Sequence, residues 1–76
     1  MNLDDQKILR DLGHRIRERR QARQWTQADL GDHCDLHRTF IGSVERGERN
    51  ISLANIVKLA KALDVDPGRL MTRIGR

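Results

Sequence analysis

Arg38, Thr39 and Ser43 lie in one short stretch, RTFIGSVER, at spacings that put them on a common side of a helix. Arg38 can donate two hydrogen bonds to guanine O6 and N7. Thr39 can bond a base edge or set its methyl against that of thymine. Gly42 and Arg46 complete this outer face, with Gly42 leaving room for close approach to a groove floor, while Ile41 and Val44 fall on the opposite, core-facing side. Such a face is equipped to read base edges in the major groove of duplex DNA. Upstream, Gln27 opens another helical pattern, where its amide and the free N–H groups of the helix start suit a phosphate oxygen. Downstream, Arg46, Arg49 and Asn50 are placed to clamp phosphate, and Arg49 has the reach for a base or the minor groove. Phe40 falls at the edge of the core stripe. Packing there is its expected role, and contact with a thymine methyl is the alternative.

Other chemistry finds little support. His33, Cys34 and His37 are close in sequence, but no fourth ligand accompanies them and structural zinc takes four, so no metal is expected. Cys34 reads as a small apolar core residue and His14 as a surface one. No nucleophile elbow, phosphate-cradling glycine loop or acid pair is present, so the chain is expected to be no enzyme, to have no catalytic residues and to need no cofactor.

The elements that must hold these residues are all helices. Leu9, Leu12 and Ile16 mark one buried stripe on a first helix over about residues 5–21, interrupted by Gly13, where another helix is expected to come close. Thr26 caps a second helix with Asp29 completing a variant capping box, and Trp25 with Leu30 forms a hydrophobic staple. That helix ends near Cys34, and Asp35, a type that tolerates a left-handed conformation better than most though less well than glycine, sits where the chain must turn. The third helix runs from Arg38 to Arg46, with His37 an unusual N-cap and Gly47 the residue after its end. Ser52 caps a fourth helix and Asp66, followed by Pro67, a fifth, with Ile51–Ile56 and Val65–Leu70 as staples. Late in the first and third helices, Arg20 and Glu45 are placed to form an ion pair that sets the angle of the third.

Bulk properties agree with this reading. The 76 residues suffice for one domain with one small core, spanning residues 1–76. Aromatic residues make up 3%, too few for a β-sandwich core or for base-stacking platforms. The formal charge of +4 favours a polyanionic partner. No apolar run is long enough to span a bilayer, and MNLDDQKILR carries acids where a signal peptide would carry bases, so a cytoplasmic location is expected and no membrane partner. The single cysteine allows no intrachain disulfide and fits a reducing compartment.

The run TQADLGDHCDLHRTFIGSVERGERNISLANIVKLAKALDV resembles the helix-turn-helix regulators of the Xre, Cro and phage-repressor type, and most of all the controller proteins of restriction–modification systems. The match extends back through LGHRIRERR and covers nearly the whole chain. The resemblance implies an all-α, compact five-helix, lambda-repressor-like domain, with the helix-turn-helix over about residues 26–46 and dimerisation through residues 52–72. It implies a homodimer on a partly symmetric double-stranded operator, with Gln27 on phosphate and with Arg38, Thr39, Ser43 and Arg49 in recognition. It also implies the Arg20–Glu45 pair. The chain departs from the pattern at Gly31, where alanine is usual, and at Asp35, where glycine is usual.

Exposed apolar candidates for the dimer surface are Leu53, Leu70, Met71 and Ile74, the alternative being that Leu70 packs internally and the tail MTRIGR frays. No sensing domain or small-molecule effector is evident, so concentration is the expected signal, acting on the chain's own promoter. The competing function is an antitoxin of a toxin–antitoxin pair on the same fold.

Overall fold

A computed structural model describes residues 2–76. Five helices follow in order: α1 Leu3–Ala22, α2 Gln27–Cys34, α3 Arg38–Glu45, α4 Leu53–Ala62 and α5 Pro67–Met71. The 20 residues of α1 make a rod of about 30 Å. This matches the 31 Å long axis of the molecule, so α1 is the spine. It packs on α3 and α5, while α2 packs on α3 and α4. One core joins all five: Leu12 and Ile16 from α1, Leu30 and Cys34 from α2, Ile41 and Val44 from α3, Ile56, Leu59, Ala60 and Leu63 from α4 and its cap, and Leu70 from α5. Among the described residues no helix is long and apolar enough to cross a membrane.

The helix starts follow their sequence signals. Thr26 Oγ1 accepts from the Asp29 N–H while Asp29 accepts from the Thr26 N–H, a reciprocal box. His37 caps α3 through Nδ1, which accepts from the Thr39 N–H at 3.0 Å. Ser52 and Asp66 cap α4 and α5.

The helix ends share one device. After α1, α2, α3 and α4 the chain turns through a left-handed residue, respectively Gln24, Asp35, Gly47 and Asp64. The next residue then donates back across the turn, Trp25 to Arg20, Leu36 to Gly31, Glu48 to Ser43 and Val65 to Ala60. Asp35 and Gly47 carried that signal in the sequence. Gln24 did not, because glutamine does not favour positive φ; Asp64 is of the same tolerant type as Asp35. At Gln24 and Asp64 the apolar residues that follow, Trp25 and Val65, dock on the core and hold the turn.

Two glycines admit close backbone approach. A Cβ at Gly13 would lie 2.7 Å from the Glu45 carbonyl oxygen and closer still to that of Val44, so α1 and α3 touch here as expected. A Cβ at Gly31 would run into the Leu36 carbonyl. Glycine weakens a helix interior relative to alanine, but at Gly31 it has a structural return: alanine would not fit beneath the turn made at Asp35.

The C-terminal expectations need correction. Leu70 is 1% exposed, so it belongs to the chain's own core and offers no dimer surface. Met71 and Ile74 are half-buried against that core. Only Leu53, 75% exposed in the first turn of α4, stands free as expected. The tail does not fray either: the Gly75 N–H donates to Asp11 at 2.9 Å and Lys7 Nζ to the Arg76 carbonyl at 3.0 Å.

Candidate nucleic-acid interface

The recognition candidate is α3, eight residues long with Ile41 and Val44 fully or almost fully buried behind it. Its length alone would not sustain a helix in water. It is held by α2 across the tight turn, by the Gly13 contact on α1, and by an ion pair at its end. Arg20 Nε donates to Glu45 Oε2 at 2.7 Å and Nη2 to Oε1 at 2.9 Å, a two-pronged grip on a carboxylate. Arg20 Nη1 also donates to the Trp25 carbonyl at 2.7 Å, so one guanidinium joins α1, α3 and the approach to α2. The hydrogen bonds to Glu45 push the Arg20 pKa further up. Both residues are 8% exposed, far from the surface pair that would contribute little.

Outward from this brace stand Arg38 and Thr39, both exposed in the first turn of α3. Ser43 is only half-exposed, and its hydroxyl donates to the Thr39 carbonyl at 3.1 Å. Its proton is committed to its own helix, so toward a base edge Ser43 offers an acceptor. Gly42 is not part of the open face. It is buried, and a Cβ there would meet Arg46 Nη1 at 3.1 Å and Gln27 Oε1 at 3.2 Å. Its small size makes room for those two side chains rather than for a groove floor. Gln27 Nε2 in turn donates to Glu45 Oε1 at 3.2 Å, so the amide at the start of α2 is aimed by the same carboxylate that Arg20 grips. The N–H groups of Gln27 and Ala28 open α2 and have no intrahelical partner, which leaves them for an anion.

Beyond α3, Arg46 is exposed and its Nε lies 3.0 Å from Glu48 Oε1. Asn50 accepts the Ile51 N–H on Oδ1 and keeps its amide protons for another acceptor. Arg49 is exposed, with its guanidinium carbon 5.3 Å from the centre of the Phe40 ring. Phe40 packs against the core as its first expectation had it.

Arg38, Thr39, Gln27, Arg46 and Arg49 are thus all carried by α3 and the segments that abut it. Several of their partners were not legible in sequence. The Gln27–Glu45 bond crosses two helices, and Arg46–Glu48 has no helical spacing because it spans the Gly47 turn. The histidines near α2 have other work: His33 stacks on Trp25 at 4.1 Å between ring centres, and His37 caps α3. Cys34 is buried, and desolvation pushes its thiol pKa up.

Comparison with known proteins places these features in a family. The helix-turn-helix family pattern matches residues 16–70. The control protein C.BamHI of Bacillus amyloliquefaciens is 47% identical over 67 residues, covering 84% of this chain and 83% of that protein. The crystal structure of the restriction–modification controller protein C.AhdI from Aeromonas hydrophila superposes with a TM-score of 0.79 at 48% identity, covering 82% of this chain and 94% of that one. The P22 c2 repressor, solved in complex with a synthetic operator, superposes with a TM-score of 0.75 at 34% identity, covering 80% of this chain and 92% of that one.

Proposed function

The chain belongs to the helix-turn-helix family, and from that premise we propose that it is a DNA-binding transcriptional regulator of the restriction–modification controller type. It is not an enzyme. The observation that carries the reading is the exposure of Arg38 and Thr39 in the first turn of a helix whose other face is wholly buried and whose end is locked by Arg20 and Glu45.

In this reading Arg38 and Thr39 meet base edges, with Ser43 as an acceptor beside them. Gln27, together with the free amides of α2, holds a phosphate, and so do Arg46 and Asn50. Arg49 reaches a further base. Phosphate contacts set register and orientation; base contacts set sequence. One inserted helix covers only a few base pairs, so two copies related by a twofold axis would read two half-sites about one helical turn apart. Leu53, with the half-buried Met71 and Ile74, supplies the apolar area for that pairing in the proposed homodimer. Protein concentration would set occupancy of its own promoter.

Selection of binding sites from a pool of random duplexes tests this reading. The expected outcome is a partly palindromic motif bound two protomers at a time. A pool that stays random at low salt, or a protein that stays monomeric on DNA by sedimentation, would refute it.

A further inference from the structure

The segment after α3 folds back on the helix it leaves. Gly47, at φ 72°, makes the left-handed turn, and the Glu48 N–H donates to the Ser43 carbonyl at 3.0 Å. A side chain at position 47 would strike α1, since a Cβ would sit 2.8 Å from Arg10 Cγ. The turn is therefore pinned between α1 and α3, and it delivers Arg49 alongside the first turns of α3. There the Arg49 guanidinium lies over the Phe40 ring, at 5.3 Å from its centre. Phe40 itself is anchored, with its ring packed against the core.

We infer that Phe40 is a positioning residue for operator reading: its ring is the platform that holds the Arg49 guanidinium at the DNA-facing edge of α3. This rests on the proposed reading that Arg49 contacts DNA. An arginine in a loop samples many rotamers and loses that freedom on contact. A guanidinium already resting on an aromatic face has lost part of it beforehand. Phe40 thus acts on sequence choice without touching a base. The thymine-methyl contact considered from sequence is not needed for it to matter.

The test compares Phe40→Leu, Phe40→Tyr and Arg49→Ala in duplex-selection and competition binding, with unfolding midpoints measured alongside. Arg49→Ala identifies the operator positions that depend on Arg49. Phe40→Leu should reduce discrimination at those same positions by about two- to fivefold, the range expected of an exposed cation–π contact, and leave Arg38-dependent positions unchanged. Phe40→Tyr, which keeps the ring, should restore it. In the unmutated protein, the Arg49 side-chain protons should resonate upfield of those of other arginines from the ring current, whether or not Phe40→Leu folds. Normal Arg49 shifts would overturn the inference. So would a Phe40→Leu protein that keeps Arg49-dependent preferences, or one that loses preference equally at all positions. If the unmutated protein selects no sequence, the proposed function fails first. If it does select and Arg49→Ala alters nothing, only the role given to Arg49 and its platform fails.

Discussion

Arg20 holds both oxygens of Glu45 at 2.7 and 2.9 Å, and Glu45 Oε1 accepts a further proton from Gln27 at 3.2 Å. One buried carboxylate therefore fixes the angle of α3 against α1 and also orients the Gln27 amide, which in the proposed reading meets phosphate. Removing either member leaves an uncompensated charge in the interior. Arg20→Ala or Glu45→Ala should cost about 3–5 kcal/mol of stability, measured as the shift in urea unfolding. Replacing both with apolar residues should recover most of that stability. The repacked protein should still bind duplex DNA more weakly, because Gln27 has lost its acceptor. A repacked protein with undiminished DNA affinity would separate the brace from binding.

Gly13 and Gly31 invert the usual helix preference. Alanine is better than glycine in a helix interior by about 1 kcal/mol. At both sites the added methyl would meet backbone carbonyls that cannot step aside. Gly13→Ala and Gly31→Ala should therefore destabilise, by about 1–3 kcal/mol, as overpacking does. Thermal unfolding of the two variants decides the sign, and a rise in midpoint would show that the backbones give way.

Arg38 and Gln27 should separate base reading from phosphate binding. Arg38→Ala should cost about 1–3 kcal/mol and relax preference at one or two positions of the selected site. Gln27→Ala should weaken all sequences about equally. Competition binding across single-base variants distinguishes them, and uniform scaling by Arg38→Ala would remove its role in base reading.

Glu48 is paired to Arg46 at 3.0 Å on the surface, so on the proposed reading it would compete with DNA phosphate for that arginine. An exposed pair contributes no more than about 1 kcal/mol. Glu48→Gln should free Arg46 and remove a negative charge near the proposed phosphate path. Affinity for all duplexes should rise, by at most about fivefold, with little change in sequence preference. Titrations over a range of salt check it, and an unchanged affinity would mean that Arg46 takes no phosphate.

Acid should weaken the fold through two carboxylates. The Thr26 N–H, and after it the Thr26 hydroxyl, hold the Asp29 pKa below its ordinary value; the Gly75 N–H, then Lys7, do so for Asp11. A group with a depressed folded pKa adds stability above its unfolded value and loses it as pH falls through the folded one. The unfolding midpoint should therefore hold its Asp29 and Asp11 contributions near neutrality and lose them below about pH 4. Asp29→Asn and Asp11→Asn should each flatten that loss, read from urea unfolding between neutral and acidic pH.

Much of this was legible in the chain because local rules set it. The caps at Thr26, Ser52 and Asp66 fell where side chains can close the first turn. The stripe of Leu12 and Ile16 marked the buried side of α1. Misplaced features depended on neighbours distant in sequence. Gly42 has the spacing of a surface residue and is covered by Gln27 from another helix. Leu70 resembled a spare apolar residue until α5 folded against α4 and α1. The Phe40–Arg49 contact depended on the direction of the chain after Gly47, which spacing does not encode.

An eight-residue α3 has no independent existence in water. A peptide copied from residues 36–48 would be a disordered coil and would discriminate between operators poorly or not at all. Heating, proteolysis or a core mutation that unfolds a fraction of the molecules would lower the concentration of binding-competent regulator, so DNA occupancy would follow how much of the chain is folded.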